Sequence, residues 1–311
     1  MVDKLLLVGP GNIGLDYVKV LQALNVNFEV VGRSPKDDWI VSVYEYGIEK
    51  YLKESTEKID YAIVATNENQ LYKVTLKLIS YGVSNILIEK PGSLFKDELV
   101  ELKKLSESKN IKLFIGYNRR FYQSVKKCKE KISECNDLIS GSFSFTIIPS
   151  MINFDKYSKK ELERLFLYES THVIDTIFYL LGKPKELNCY TSGKLEWHPS
   201  AAIFQGSGVT EKKALINYES NWTSAGRWWI EISLPNEKLI LKPFEKLHHQ
   251  YRDSFEQRKY LLEDEKIDID YKPGLYNQVF SFLSNQNDLC TIDEQIENFK
   301  WYYKIANYKE I

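Results

Sequence analysis

Three glycines near the start of the 311-residue chain have a spacing suited to binding phosphate groups. Gly9, Gly11 and Gly14 form a GxGxxG pattern between an apolar run of strand length and a helix-like run. The first glycine permits a tight turn, the second lets the backbone approach a pyrophosphate, and the third lets the helix lie close to the strand. The pattern therefore predicts a dinucleotide-binding turn, with the phosphates at the N-terminus of a helix.

The next segment of interest is where the second strand of such a fold would end. An NAD-binding chain normally carries Asp or Glu there, and the carboxylate binds the ribose 2′-hydroxyl. This chain has Val31-Gly32-Arg33-Ser34 instead. A guanidinium can pair with a 2′-phosphate, and the serine hydroxyl adds a hydrogen bond. The segment favours NADP over NAD, the alternative being that Arg33 is a solvated charge in a loop.

Lys90 is a candidate for the chemistry itself. It follows a predicted strand, at the carboxyl edge of a parallel sheet where ligands bind. Pro91 stops the strand there, because proline has a fixed φ and no N–H. An ammonium at this point could stabilise charge that builds on a reacting oxygen during hydride transfer. The alternative is an ordinary surface lysine before a loop.

A histidine with flanking carboxylates is the second candidate. Glu169, His172 and Asp175 are three residues apart and would project from one side of a single predicted helix, Glu161 to Leu181. Imidazole titrates near neutral pH and can pass a proton to or from a hydroxyl, and nearby carboxylates would tune its tautomer and charge. The alternative is a histidine satisfied within the core or at the surface.

The helices and strands that must position these residues follow two different patterns of apolar and polar residues, one before and one after about residue 120. Up to about residue 120, apolar runs alternate with amphipathic helical runs, which is typical of βαβ units around a buried parallel sheet. After residue 120, strand-like runs are separated mainly by turn residues, which indicates a mostly antiparallel sheet. The predicted strands are Leu5–Val8, Phe28–Val31, Tyr61–Val64, Asn85–Ile88, Leu113–Ile115, Ser142–Pro149, Ala201–Gln205, Lys213–Ser220, Trp228–Leu234 and Lys238–Leu241. The other predicted helices are Asp16–Leu24, Gln70–Tyr81, Lys96–Ser108 and Asp293–Tyr308.

We therefore predict an α/β chain of two domains. Residues 1–120 would form an N-terminal Rossmann domain with a doubly wound parallel sheet. Residues 121–311 would form an α+β domain with an open, mostly antiparallel sheet. An alternative within this division is that the C-terminal helix packs back on the first domain.

Composition narrows the possible partners and the compartment. Lys plus Arg (42) and Asp plus Glu (43) leave a formal charge of −1, so no global field would recruit nucleic acid or an anionic membrane. The four cysteines lack metal-ligand spacing, and no run has the length of a leader or a membrane span. His248-His249 is interpreted as a solvated loop rather than a metal site. We expect a cytoplasmic protein whose partners are small molecules and copies of itself, with no bound metal.

Several further stretches, taken with the glycine turn, carry a family resemblance. They are Thr66–Tyr72 (TNENQLY), Ile88–Pro91 (IEKP), Gly116–Phe121 (GYNRRF), Glu169–Asp175 (ESTHVID) and Pro273–Leu283 (PGLYNQVFSFL). In order and spacing they resemble the glucose-fructose oxidoreductase / inositol dehydrogenase family, written Gfo/Idh/MocA, over essentially the whole chain. The resemblance implies a Rossmann domain, a second domain whose open sheet pairs subunits into a homodimer or homotetramer, and an active site between the domains.

The resemblance also implies roles for individual residues. Lys90 and His172 match the usual catalytic pair, with Glu169 and Asp175 as further catalytic candidates. The residues implied in cofactor binding are Gly9, Gly11, Asn12, Ile13, Gly14, Arg33, Ser34, Thr66, Asn67, Glu89 and Lys90. Those implied in substrate binding are Tyr117, Arg119, Tyr168 and His172.

Two positions within this resemblance stay open. Many relatives have Asp four residues before the histidine, where this chain has Tyr168, and others have an acid three before it, as Glu169 is here. The third catalytic position is therefore either of these two. Arg119 and Arg120 either contact a substrate anion or join the domains by salt bridges.

The leading functional hypothesis is an NAD(P)-dependent oxidoreductase, NADP(H) favoured, that acts on a hydroxyl or keto carbon of a sugar, sugar nucleotide or polyol. One alternative is a redox-neutral enzyme that retains its cofactor and carries out elimination or glycoside cleavage. Another is a non-catalytic sensor of NADP, which the presence of both Lys90 and His172 disfavours.

Overall fold

The computed structural model describes residues 4–33, 39–135 and 137–309. The chain divides into two compact units, one of Met1–Phe121 with Lys266–Ile296 and the other of Tyr122–Glu265 with Glu297–Ile311. The sequence-based division at residue 120 had assigned the whole of 121–311 to the second domain, and residues 266–296 depart from it. They group with the first unit because Leu275, Val279 and Phe282 are buried in its apolar core.

The helices and strands have the following bounds in the described residues. The strands are Leu5–Val8 (β1), Phe28–Val31 (β2), Val43–Tyr44 (β3), Tyr61–Val64 (β4), Asn85–Glu89 (β5), Lys112–Gly116 (β6), Ser140–Ser144 (β7), Pro184–Ser192 (β8), Ile203–Thr210 (β9), Leu215–Asn221 (β10), Trp229–Ser233 (β11), Glu237–Leu241 (β12), Leu247–Tyr251 (β13), Arg258–Lys259 (β14) and Cys290–Thr291 (β15). The α-helices are Asn12–Ala23 (α1), Gly47–Glu54 (α2), Glu68–Tyr81 (α3), Lys96–Ser108 (α4), Gln123–Ser133 (α5), Lys159–Leu162 (α6), Leu165–Glu169 (α7), Thr171–Leu181 (α8), Glu265–Asp270 (α9), Leu275–Leu283 (α10) and Ile292–Ala306 (α11). Single 3₁₀ turns lie at Asn118–Phe121, Pro149–Met151 and Phe154–Lys156.

The first unit contains a twisted sheet in the order β15-β6-β5-β4-β1-β2-β3. Its strands pair in parallel except for β15, which runs antiparallel to β6. All four residues of β1 are buried, as expected for a parallel strand covered on both faces. This confirms the predicted Rossmann-type parallel sheet, and the five strands predicted for the region are all present.

The register of this sheet brings the candidate residues to one edge. Val8 pairs with Val31 of β2 and with Val64 of β4, so these three strands end at the same level. Strands β2 and β3 lie on one side of β1, and the chain then crosses to β4 on the other side. The carboxyl ends of β1 and β4 therefore form a topological switch point. Ligands of doubly wound sheets bind in the crevice at such a point.

The second unit contains a sheet in the order β14-β13-β12-β11-β7-β10-β9-β8. Its strands are antiparallel except for the parallel pair β7 and β10, which confirms the predicted mostly antiparallel sheet. In β10 the residues alternate, with Ile216 and Tyr218 buried while Leu215 and Glu219 are exposed. One face of the sheet is therefore packed and the other is open.

The single helix predicted over Glu161–Leu181 is wrong, because this stretch contains three helices, α6, α7 and α8. The first begins with a capping box at Ser158, whose side chain accepts the N–H of Glu161. At the junction of α7 and α8, the hydroxyl of Thr171 donates to the carbonyl of Leu167 at 2.8 Å. A side chain that binds the backbone in this way competes with the regular helical hydrogen bonds.

Smaller predictions about the second unit also need correction. The strand predicted over Ser142–Pro149 ends at Ser144, since Pro149 begins a 3₁₀ turn. His248-His249, interpreted as a loop, lies within β13, paired with β12 and β14. The strand β8, which begins with Pro184, was not predicted, because its first residues are proline and charged side chains.

Among the helices of the described residues, none combines the length and the hydropathy required to cross a membrane.

Candidate active site

The glycine turn joins β1 to α1 in a geometry that needs two of its three glycines. Gly9 has φ +119°, and a Cβ there would lie 2.4 Å from the carbonyl oxygen of Ala65. A Cβ on Gly14 would lie 2.1 Å from the carbonyl oxygen of Gly9. Neither neighbour can move, because both are backbone atoms. Any larger residue at these positions would push the turn away from β4 or the helix away from the strand.

The middle glycine has a different environment. A Cβ on Gly11 would meet no described atom within 4 Å, so the backbone here borders open space. Gly11 is the N-cap of α1 and has no side chain with which to cap the helix. The N–H groups of a helix's first turn lack partners within the helix and favour anions. The turn is thus open at the position where a pyrophosphate would approach.

A cavity of about 590 Å³ borders this turn within the first unit. Its lining combines the carboxyl ends of β1, β2 and β4 with the first turns of α2 and α3. Inside it, the buried Oγ1 of Thr66 has no hydrogen-bond partner among the described residues. Such an atom is costly unless a ligand or water satisfies it. The lining residues are Val8, Gly9, Pro10, Gly11, Val31, Gly32, Arg33, Tyr46, Gly47, Ile48, Glu49, Ala65, Thr66, Asn67, Gln70, Val74 and Lys77.

These features fit a nicotinamide dinucleotide. The open turn and the helix N-terminus suit its pyrophosphate, and the hydroxyl of Thr66 suits a polar group of its ribose or nicotinamide half. Asn67 lies beside Thr66 as the N-cap of α3 and also lines the cavity. Of the residues predicted to bind the cofactor, the structure brings Gly9, Gly11, Arg33, Thr66 and Asn67 to one cavity.

The end of β2 carries no carboxylate within the described residues. Glu29, earlier on the strand, is bound by Lys4 at 2.8 Å and by the hydroxyl of Tyr51, contacts that leave it outside the cavity lining. Arg33 is exposed at the cavity, and its side chain lies over Gly47. Ser34, the other residue predicted for this end, lies outside the described residues.

A second cation reaches the same end of the cavity. Lys77 of α3 lines it and pairs with Glu49 of α2 at 2.5 Å. The hydrogen bond and charge of Lys77 lower the pKa of the Glu49 carboxyl. Glu49 is therefore neutralised by its partner, and Arg33 supplies the remaining positive charge there.

Glu89 and Lys90 end β5 at the same edge of the sheet. The hydroxyl of Tyr17 donates to the Glu89 carboxylate at 2.6 Å. Burial raises the pKa of Glu89, while the hydrogen bond from Tyr17 and the charge of Lys90 oppose that shift. Sequence reasoning named Glu89 and Lys90 but not Tyr17, because a tyrosine within a helix carries no signal of its partner in a distant strand.

The segment after β6 is largely buried in the first unit. Tyr117 is 1% exposed, and its hydroxyl accepts from Gln295 at 3.1 Å. Arg120 donates to both carboxylate oxygens of Glu294, at 3.1 and 2.7 Å. This pair joins two segments of one unit rather than two domains. Arg119, next to it, is half-buried.

The second unit holds the other candidates. His172 is the second residue of α8, 6% exposed, with its ring centroid 6.2 Å from that of Trp228. Asp175 is fully buried one turn further along the same helix. Glu169 is half-buried and ends α7, so it does not share the helix of His172 as predicted. Tyr168 is buried against Tyr157, with ring centroids 5.8 Å apart.

These features define a class of protein. Residues 4–117 match the model of an oxidoreductase family with an NAD-binding Rossmann fold, GFO_IDH_MocA. The match confirms the resemblance to the Gfo/Idh/MocA family over residues 4–117 and identifies this part of the first unit as an NAD-binding Rossmann region of the oxidoreductase type.

Individual relatives are more distant. Over 141 residues the chain is 26% identical to scyllo-inositol 2-dehydrogenase (NADP(+)) IolW of Bacillus subtilis (strain 168), an alignment that covers 44% of this chain. The aligned part spans 39% of that relative's length.

Solved structures match both units. An oxidoreductase from Agrobacterium radiobacter, in complex with NAD+, L-tartaric acid and magnesium, has a TM-score of 0.75 at 12% identity and covers 98% of this chain and 96% of its own. An inositol dehydrogenase homologue from Azotobacter vinelandii, complexed with NAD+, has a TM-score of 0.75 at 13% identity, with 98% and 94% covered. UDP-N-acetylglucosamine 3-dehydrogenase GnnA from Acidithiobacillus ferrooxidans has a TM-score of 0.73 at 13% identity, with 99% and 97% covered. At these identities the likeness shows the fold.

Proposed function

We propose that the chain is an NADP(H)-preferring oxidoreductase that transfers hydride at a hydroxyl or keto carbon of a sugar, sugar nucleotide or polyol. The observation that carries this proposal is the cavity at the glycine turn. It combines an open backbone at Gly11, an unsatisfied Thr66 hydroxyl, and Arg33 where NAD-binding chains have a carboxylate. The inositol dehydrogenase among the curated relatives, named for NADP(+), supports both the cofactor and the substrate class.

The proposed roles of the chain's own residues follow from their chemistry. When bound, the nicotinamide accepts or supplies the hydride. Lys90 donates a hydrogen bond to the reacting oxygen and stabilises its negative charge. His172 takes the hydroxyl proton as the carbon is oxidised, and returns it in the reverse direction. Asp175, buried on the helix of His172, is proposed to favour the imidazolium, and Tyr168 or Glu169 to contact the substrate.

The experiment is a matrix of cofactors and substrates. Purified chain is mixed with NADP+ or NAD+ and with scyllo-inositol, myo-inositol or UDP-N-acetylglucosamine, and the absorbance of the reduced nicotinamide is followed. Formation of NADPH with at least one compound, and a higher kcat/KM with NADP+ than with NAD+, would support the proposal. Tight binding of NADPH with no turnover on this panel and on the matching ketones would favour the sensor instead.

We also propose that copies of the chain associate through the open face of the second sheet. Tyr190 and Leu215 are exposed on strands β8 and β10 of that sheet, 70% and 64% respectively. Light scattering on the intact chain and on Leu215→Lys tests this, because a lysine in a buried sheet interface should reduce the measured mass. An unchanged mass would place the interface elsewhere.

A further inference from the structure

A set of buried hydrogen bonds in the first unit surrounds Glu89, Lys90 and Pro91, here called the EKP segment. We propose that these bonds fix the main chain of the EKP segment, and that Tyr17, Gln278 and Gln295 are positioning residues for Lys90. The inference rests on the proposed function, since it assumes that Lys90 touches the reacting oxygen. The three positioning residues come from three separate parts of the sequence.

The first contact holds the segment at Glu89. Its carboxylate accepts the hydroxyl of Tyr17 at 2.6 Å and also the backbone N–H of Lys90. Gly116 of the neighbouring strand lies beside this carboxylate, and a Cβ there would make a van der Waals contact of 3.4 Å with the Glu89 Oε1. A single carboxylate thus ties helix α1 to the main chain of the residue whose side chain is proposed to do the chemistry.

The second contact holds the segment at Pro91. The side-chain amide of Gln295, which is fully buried, donates to the Pro91 carbonyl at 2.8 Å. The same nitrogen lies 3.1 Å from the hydroxyl of Tyr117. Lys90 is therefore fixed from both sides, through the residue before it and the residue after it.

Gln278 connects the two contacts. In the orientation that satisfies its amide, its oxygen accepts the N–H groups of Tyr117 at 3.2 Å and Asn118 at 3.1 Å. The other end of the amide then lies 3.4 Å from the hydroxyl of Tyr17. The bonds form a closed path through Tyr17, the EKP segment, Gln295, Tyr117 and Gln278. Interacting buried networks of this kind are worth more than their separate bonds.

The charges around Glu89 support a role beyond packing. Lys90 and Lys272 face it electrostatically, Tyr17 donates to it, and Asp16 faces Tyr17 and pairs with Lys272 at 3.5 Å. A carboxylate with one hydrogen-bonded tyrosine and two nearby ammonium groups is a defined electrostatic partner for Lys90. Loss of a hydrogen bond to the Glu89 carboxylate should therefore affect the position of Lys90 more than the global fold.

The experiment uses Tyr17→Phe, Gln278→Met and the double variant of the intact chain. Tyr61→Phe is the matched control, because Tyr61 lies in the same unit and packs edge-on against Phe282, at 5.4 Å between ring centroids. Hydrogen–deuterium exchange, followed by mass spectrometry, reports on the peptide that contains residues 86–95. Fluorescence titration measures NADPH affinity, and steady-state kinetics use whichever compound of the panel above is turned over.

We expect each single variant to speed exchange at the EKP segment about tenfold, and Gln278→Met also to speed it at Tyr117 and Asn118, while the rest of the first unit is unchanged. NADPH affinity should stay within about threefold, and kcat should fall about tenfold with KM nearly unchanged. The double variant should lose less than the product of the single losses, because both residues belong to one network. The control should match the unsubstituted chain in every measurement.

Two results would overturn the inference. One is wild-type exchange at residues 86–95 in both single variants, which decides the matter even if no compound of the panel reacts. The other is faster exchange throughout the unit together with a lower melting temperature, the behaviour of a general loss of stability. Full activity in Tyr17→Phe alongside an inactive Lys90→Ala would reject the positioning role only. Full activity in Lys90→Ala would reject the mechanism proposed for the enzyme.

Discussion

Two buried polar clusters, one in each unit, contain a titratable group removed from water. In the first unit Glu89 is bound by Tyr17 beside Lys90. In the second unit His198 is fully buried, with Nδ1 2.8 Å from the carbonyl oxygen of Ala201 and Nε2 2.9 Å from the hydroxyl of Tyr308. Both groups have shifted pKa values, so a shift by itself does not mark a functional site.

The two clusters differ in what surrounds them. His198 is packed by aromatic rings, among them Trp222 at 4.8 Å between ring centroids, and both of its nitrogens are satisfied within the unit. Glu89 instead adjoins an ammonium at the edge of the sheet where ligands of this fold bind. From this difference we expect the closed cluster to govern stability and the cluster at the ligand edge to govern turnover. Four predictions test this separation.

The largest effect is expected for Lys90→Ala. Loss of the ammonium should lower kcat by about a thousandfold, as for other lost donors to a developing charge, with NADPH affinity and melting temperature nearly unchanged. Steady-state kinetics, NADPH titration and thermal unfolding measure the three quantities. Lys104→Ala, an exposed lysine on α4, is the control and should behave as the unsubstituted chain. Equal turnover in the two variants would remove Lys90 from the mechanism.

The second largest effect is expected on the free energy of unfolding at low pH, through the buried His198 of the second unit. Burial lowers the pKa of His198 from 6.5 to about 4, so the unfolded chain binds this proton more readily than the folded chain. Stability from this group is present above pH 6.5 and is lost as the pH falls towards 4, by about 3 kcal/mol in total. Urea unfolding at pH 8, 6 and 5, followed by tryptophan fluorescence, measures it.

His198→Gln is the matched variant for that measurement. It should be less stable than the unsubstituted chain at pH 8, because glutamine cannot replace both hydrogen bonds in the same geometry. It should also lose less stability between pH 8 and pH 5, since the group that binds the proton is gone. An identical pH dependence in both proteins would show that another group controls it.

A third prediction compares two glycines of the turn. In Gly11→Ala the new methyl group meets no atom of the described residues within 4 Å but enters the space where the pyrophosphate would approach. NADPH affinity should therefore fall about tenfold at unchanged stability. In Gly14→Ala the methyl group clashes with the Gly9 carbonyl, and unfolding should become easier. Titration and thermal unfolding of both variants separate the effects, and similar losses in both would contradict the assignment of Gly11 to the ligand.

The smallest effect is the cofactor preference at Arg33. Arg33→Ala should weaken NADPH binding about tenfold, the worth of one exposed charge-assisted contact, and should change NADH binding less than twofold. Arg258→Ala, an exposed arginine of the second unit, serves as the control. Titrations with both nucleotides at one ionic strength give the answer, and equal losses for the two would refute a contact with the 2′-phosphate.

The parts of the fold that followed from the sequence are those that local pattern determines. The strands β1, β2 and β4 are apolar runs bounded by turn residues, and their predicted bounds agree with the structure. The helix α4 also has its predicted bounds, Lys96–Ser108. The break between α7 and α8 did not follow, because buried residues continue on both sides of it and the hydrophobic pattern does not change there.

The candidate site shows the same limit. The glycine turn was predictable because its spacing reflects backbone geometry within seven residues. The partner of Glu89 was not, because Tyr17 is 72 residues away and Gln278 is 261 residues from that tyrosine. His198 drew no attention in the sequence, since its partners Ala201 and Tyr308 are ordinary residues. Contacts between distant polar side chains leave no periodic signal in a single sequence.

The return of residues 266–296 to the first unit affects how the protein can be made. Gln278 and Gln295 leave the ribosome only after residues 122–265 have been synthesised, so the parallel sheet must wait for its last buried partners. A gene fragment ending near residue 121 would encode the glycine turn without α10 and would expose the apolar surface that this helix covers. A nucleotide-binding fragment should instead be expressed with residues 266–296 joined to it by a short linker.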